Sequence, residues 1–199
     1  MPAAKILSRR TVIATPWCRL RAKRVRLPDG RTAVYHSIAQ QDSVAVLART
    51  PGGLIPIIRQ YRPTIEAYTW ELPAGLLEPG ESPRHGCRRE LLEEAGVRPE
   101  RLTYLGAYYT DTGRLEHRMH AFIAHTGDPD RRFKPESGMS VSFVTPAALG
   151  RAILSRRFRL QQHIGLLGLA TLRGVNWGWW PARIAQEQTG PRSLEGKRG

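Results

Sequence analysis

Apolar and polar side chains alternate along residues 17–27 (WCRLRAKRVRL), the period-two pattern of a strand with one buried face. Cys18, Leu20 and Ala22 hold one phase and Val25 and Leu27 the other, which predicts a β-bulge or bend near Lys23. Pro28-Asp29-Gly30 predicts a turn, because proline presets φ, aspartate bonds to nearby amides and glycine accepts positive φ. Residues 31–39 read as the returning strand, so the N-terminal region is expected to be a basic hairpin. Apolar runs near 43–49 and 54–61, joined by Pro51-Gly52-Gly53, predict a second hairpin, and Thr69 to Pro73 a further short strand. A helix is predicted over about 83–95 and strands near 102–109 and 117–124. Beyond a polar, Pro/Gly-rich loop at 126–138 come a strand at 140–144 and helices at about 146–155 and 160–172. Strands outnumber helices and the helices are dispersed, which suggests an α/β fold with a mixed sheet covered by helices on its faces. The expected division is an N-terminal β subdomain over 1–40, a main domain over 41–175, and a tail over 176–199. That tail carries Trp177, Trp179 and Trp180, expected to pack over the sheet rather than stack on a base, and a polar end expected to be disordered.

A chain of 199 residues suits one domain with a small attachment. No stretch approaches the roughly 20 apolar residues of a membrane span, and no apolar segment of a secretory signal follows the first five residues. Cys18 and Cys87 lie far apart without metal-ligand spacing, which reads as two reduced thiols in a cytoplasmic protein. Net charge is +14, carried mostly by arginine. Such a field attracts phosphates, but the arginines are spread along the chain without interleaved aromatics. A small anionic substrate is therefore favoured over nucleic acid as the partner, and no membrane partner is expected.

The chemistry is concentrated in residues 75–97, GLLEPGESPRHGCRRELLEEAGV. Ser82-Pro83 is a helix start, a capping hydroxyl followed by proline at the first helical position. Gly96 is the matching stop. Between them Glu90, Glu93 and Glu94 fall at i, i+3 and i+4, which puts three carboxylates on one helical face. Like charges so clustered repel unless something cationic neutralises them. Arg88 and Arg89 precede Glu90 and can face only part of the group, so a divalent cation is the better answer, Mg²⁺ or Mn²⁺ by the hardness of the oxygen ligands.

Gly75, Glu81, Arg89-Glu90-Leu91, Glu93-Glu94 and Gly96-Val97 at their spacing resemble the Nudix box at every defined position. The resemblance implies an α/β/α sandwich with a mixed sheet, the box forming a loop–helix–loop. It implies Glu90 and Glu94 as principal metal ligands, Glu93 assisting, and the Gly75 carbonyl as a further ligand. Arg89 is expected to orient the carboxylates through Glu81, and Gly75 to serve an unusual backbone turn. Flanking segments resemble the ADP-ribose pyrophosphatase branch: Arg59-Gln60-Tyr61-Arg62, Trp70-Glu71-Leu72-Pro73-Ala74-Gly75, and Tyr109-Thr110-Asp111-Thr112-Gly113 with Glu116. The sequence departs from that branch at His85-Gly86-Cys87 and at Gly113. The implied activity is metal-dependent hydrolysis of a nucleoside diphosphate linked to X, ADP-ribose to AMP and ribose 5-phosphate first. Alternatives are GDP-mannose or another nucleotide sugar, a CDP-alcohol, the 5′ end of an RNA, or a non-catalytic nucleotide sensor. Arg59, Arg62, Glu71 and Glu116 are the expected substrate contacts and Glu136 the assisting base. In this branch the N-terminal strands build a homodimer.

Overall fold

The computed structural model describes residues 3–179. In chain order these form β1 (Lys5–Ala14), β2 (Arg19–Arg26), β3 (Thr32–Ala39), β4 (Ser43–Arg49), β5 (Ile55–Arg62), β6 (Ala67–Glu71), β7 (Ala74–Leu76), α1 (Pro83–Ala95), β8 (Pro99–Tyr109), β9 (Arg118–Thr126), β10 (Met139–Val144), α2 (Pro146–Leu154) and α3 (Gln161–Leu172). The central sheet has the order β7-β4-β9-β8, with β4 and β9 parallel and the other pairs antiparallel. A second antiparallel sheet has the order β10-β5-β6, and the N-terminal strands form a third, β1-β2-β3.

Strand β4 shows how the layers arise. Its five residues from Val44 to Ala48 are all fully buried, and alternation sends them to opposite sides. Val44, Val46 and Ala48 join Phe122, Ala124 and Ile58 against Cys87, Leu91 and Ala95 of α1. Ala45 and Leu47 join Ala121, Ile123, Ile55 and Ile57 against Leu149 of α2 and Leu166, Leu167 and Ala170 of α3. A sheet buried on both faces reads as a continuous apolar run, which is what β4 is. The α/β/α sandwich with a mixed sheet is therefore observed.

Three local expectations are corrected. The segments 43–49 and 54–61 are not a hairpin, although the turn between them closes with Thr50 accepting from Gly53. Strand β4 uses its two edges for β7 and β9, so β5 leaves the turn and pairs with β6 and β10 in the other sheet. The N-terminal region is three strands, since β1 adds to the expected pair. The bulge is not at Lys23: β2 pairs with β3 without a break from Arg19 to Arg26, and the irregularities fall in β1, between Ile6 and Ser8 and between Thr11 and Ile13.

All ten residues of β1 are exposed, including Ile6, Leu7, Val12 and Ile13. The N-terminal sheet is tied to the rest through the loop after β8. Ile38 donates to the Arg114 carbonyl at 2.7 Å, the Glu116 amide donates to the Ile38 carbonyl at 2.9 Å, and the Glu116 carboxylate takes Arg21, Lys23 and Ser37 at 2.8, 2.6 and 2.6 Å. At the other end Trp179 is buried and meets Trp177 edge-on, and both pack on the α2/α3 side of the core. Trp180 and the polar end of the tail lie outside the described residues. Among the described residues no helix is long and apolar enough to cross a membrane.

Candidate active site

Helix α1 starts and stops where its sequence says. The Ser82 hydroxyl accepts from the His85 amide at 3.3 Å, Pro83 opens the first turn, and Gly96 closes the helix at φ 64°. Its buried side, Gly86, Cys87, Glu90, Leu91 and Ala95, faces the central sheet. Gly86 has a packing reason, because a Cβ there would lie 2.5 Å from Leu77 and 3.1 Å from Glu81. Burial pushes the Cys87 thiol up to about 12, so it is an inert core residue at neutral pH.

Arg89 is the hub of the acidic face. Its Nε and Nη2 take both oxygens of Glu81 at 3.0 Å each, Nη1 reaches Glu90 at 2.8 Å and Glu93 at 3.0 Å, and Nη2 also donates to the Leu76 carbonyl at 3.0 Å. The Glu81 carboxyl, bonded to Arg89, is held down at about 2, and Arg89 in turn is held above its ordinary value. A lysine supplies one compact ammonium where Arg89 supplies a planar fork. Arg89→Lys should therefore lower kcat by about tenfold or more, measured with folding followed by circular dichroism.

Glu94 is left out of this network. It accepts from the Ala74 amide at 2.8 Å, and among the described residues no Lys, Arg or His forms an ion pair with it. Burial pushes its carboxyl up to about 8, the charges of Glu90 and Glu71 add to this, and the Ala74 bond and the charge of Arg62 oppose it. Burial also raises Glu90, against Arg89. Glu71 comes from β6. Burial pushes it up, but bonds from Arg62 and Thr69 outweigh this and hold it below the usual carboxylate range. Arg62 grips Glu71 through Nε at 2.7 Å and through Nη2, and Thr69 also bonds it.

Gly75 sits on β7, opposite Val44. Its φ is not positive, so the expected unusual turn is not its reason. A Cβ at Gly75 would lie 2.0 Å from Glu90 Oε1 and 2.4 Å from Glu90 Cδ. The glycine is there to let the Glu90 carboxylate lie against the backbone. Among the described residues no three acidic, His or Cys side chains converge to hold an ion unaided. A cation fits here only with backbone or substrate oxygens beside Glu90 and Glu94, and the donor chemistry suits that, with two enclosed carboxylates and a carbonyl-bearing strand packed against one of them.

Residues 39–162 match the NUDIX domain family, and residues 5–38 match the nucleoside diphosphate sugar hydrolase N-terminal domain. The chain belongs to the Nudix family. The ADP-ribose pyrophosphatase of Bacillus subtilis is 39% identical over 100 residues, half of this chain and 54% of that enzyme. The ADP-ribose pyrophosphatase of Mycobacterium tuberculosis is 30% identical over 165 residues, 80% of this chain and 78% of that one. The crystal structure of an ADP compounds hydrolase superposes with a TM-score of 0.69 at 19% identity, over 95% of this chain and 97% of that chain, and shares the fold.

The Nudix box thus brings Gly75, Arg89, Glu90 and Glu94 together, with Glu71 and Arg62 alongside. Glu93 is half exposed and held outward by Arg89. Arg59 is exposed and stacks 3.9 Å over the Tyr68 ring. Glu116 is engaged by the N-terminal sheet. Burial pushes its carboxyl up, but Lys23, Ser37 and Arg21 outweigh this and hold it at about 2. Glu136 is exposed in the loop before β10, and among the described residues no hydrogen bond or ion pair joins its carboxylate to the box. Sequence reasoning passed over His163, whose Nδ1 accepts from the Leu72 amide at 3.1 Å. The available signal was a histidine opening the apolar stripe His163, Leu166, Leu167, Ala170.

Proposed function

We propose that this Nudix chain hydrolyses the pyrophosphate bond of a nucleoside diphosphate linked to a second group, ADP-ribose first, giving AMP and ribose 5-phosphate. The observation that carries the reading is the enclosed pair Glu90 and Glu94, both pushed toward protonation, with Glu94 feeling the charge of Arg62 but in no direct ion pair among the described residues. The ADP-ribose relatives support the substrate class.

Nudix hydrolases generally depend on a divalent metal, and Mg²⁺, then Mn²⁺, is our choice for Glu90, Glu94 and the Gly75 carbonyl. Such an ion supplies neutralising charge for the diphosphate and activates water. The chain's own part is placement and electrostatics, which supply most of the acceleration in phosphoryl transfer. Arg89 holds Glu90 in place, and the Ala74 amide orients Glu94. Arg62 uses Nε and Nη2 on Glu71, which leaves Nη1 to meet a phosphate oxygen. Glu93 and Glu136 are the candidates for moving a proton, and Arg59 and Glu116 for substrate contact.

The test is a panel of ADP-ribose, GDP-mannose, a CDP-alcohol and a 5′-triphosphorylated RNA, assayed with Mg²⁺ and with Mn²⁺ and with products identified. The expected result is fastest cleavage of ADP-ribose. Turnover of none of them refutes the enzymatic reading, and release of a 5′ nucleotide from the RNA moves the substrate to nucleic acid and gives the +14 charge that purpose.

The reading includes a homodimer built on the N-terminal sheet. A three-stranded sheet whose outer strand exposes all ten residues, four of them large apolar ones, has little reason to stand alone. Sedimentation at micromolar concentration should give twice the chain mass, and a monomer there refutes this.

A further inference from the structure

The crossover from β6 to β7, residues Leu72 and Pro73, carries the chain from Glu71 to Ala74 and Gly75, and so past the carboxylates of α1. Its hydrogen bonds go to three places. The Leu72 amide donates to His163 Nδ1 at 3.1 Å, the Pro73 carbonyl accepts from Val46 at 2.9 Å, and the Ala74 amide donates to Glu94 at 2.8 Å. One amide is thus held by α3 and the other by α1, helices that pack on opposite faces of the central sheet.

We propose that His163 is a positioning residue for the candidate active site: by accepting the Leu72 amide it sets the path of the crossover that aims Glu71, the Ala74 amide and Gly75 at the α1 carboxylates. The inference rests on the hydrolase reading above. A backbone amide can only donate, so His163 Nδ1 must be bare and the ring's proton sits on Nε2. Burial pushes the ring down to about 4, so this neutral form holds across the neutral range. Leu72 and His163 are both almost completely buried, which leaves the amide dependent on the imidazole rather than on solvent. The position otherwise belongs to an apolar stripe, Leu166, Leu167 and Ala170, where leucine would pack without the desolvation an imidazole undergoes. The imidazole is explained by its acceptor.

Three variants separate positioning from packing. In His163→Asn the side-chain oxygen falls at the place of Nδ1, in His163→Gln it lies one bond further out, and in His163→Leu it is gone. The readouts are Mn²⁺ affinity by titration calorimetry, which needs no turnover, kcat and KM on the best substrate of the panel, and Tm. The Leu and Gln variants should bind Mn²⁺ about tenfold more weakly and lose kcat by a similar factor with KM little changed. Asn should stay within about threefold of wild type in both. Wild-type Mn²⁺ affinity in the Leu variant, whatever its Tm, means the residue only packs and overturns the proposal. So does a folded Asn variant as impaired as Leu. If the Leu variant does not fold, the Asn and Gln pair decides by the same criterion. If the wild type binds Mn²⁺ but cleaves nothing in the panel, the hydrolase reading falls while the Mn²⁺ comparison still judges the positioning.

Discussion

Glu94→Gln should leave the fold intact and lower kcat by more than about tenfold, or ~1.4 kcal/mol of barrier. The amide keeps the shape and can still accept from the Ala74 amide, so the 2.8 Å bond that orients the side chain survives. What is lost is the charge, at an enclosed carboxylate that no direct ion pair neutralises among the described residues. A variant that retains more than about a tenth of wild-type kcat refutes the ligand assignment. The same substitution has an opposite effect on the metal-free fold. Glu94 sits at about 8 in the folded chain against an ordinary 4.5. A raised folded value favours the protonated form, so the stability it contributes is complete below about 4.5 and is lost as pH rises through about 8. In EDTA the Tm of the wild type should fall across that window, and Glu94→Gln should flatten the fall. An unchanged slope means that the carboxyl is solvated like any other.

Gly75→Ala should be nearly as damaging to activity and mild for the fold. The added methyl would occupy the space of the Glu90 carboxylate, at 2.0 Å from one oxygen. The far end of a side chain can move, so the sheet survives, but Glu90 must then leave both the backbone and the Arg89 Nη1 that holds it at 2.8 Å. A fall in kcat of at least about tenfold is expected, together with a lower affinity for Mn²⁺ in titration. Wild-type affinity would show that Glu90 can serve from another rotamer.

Helix α1 was legible to the residue because its two ends carry their own chemistry, a capping hydroxyl with proline and a glycine at positive φ. Helical spacing made the three carboxylates of α1 legible as neighbours, but not that Arg89 would hold Glu93 outward while Glu94 turns to the Ala74 amide. Strand β1 was not, since a strand exposed along its whole length has no buried face for a pattern to record. The pairing of β4 was not either. Pro51-Gly52-Gly53 signals a reversal, but a reversal does not say which sheet the next strand joins, and that depends on β7 and β9 far away in sequence. The role of Gly75 needed coordinates because it depends on a side chain 15 positions on. His163 escaped notice because one histidine in an apolar stripe looks like packing until its partner, the Leu72 amide 91 positions away, is seen.

The carboxylate of Glu116, bonded to Arg21 across 95 positions, also sets a timetable. Strands β1 to β3 leave the ribosome ahead of the side chain that anchors them, which is not made until much later. At the usual pace of synthesis the delay is roughly 5 to 20 seconds. Through that interval the young sheet presents Ile6, Leu7, Val12 and Ile13 on an unpaired edge strand, a surface prone to joining another chain. Lys5, Arg9 and Arg10 on the same strand, with Arg24 and Arg26 beside them, make neighbouring nascent chains repel one another through that interval.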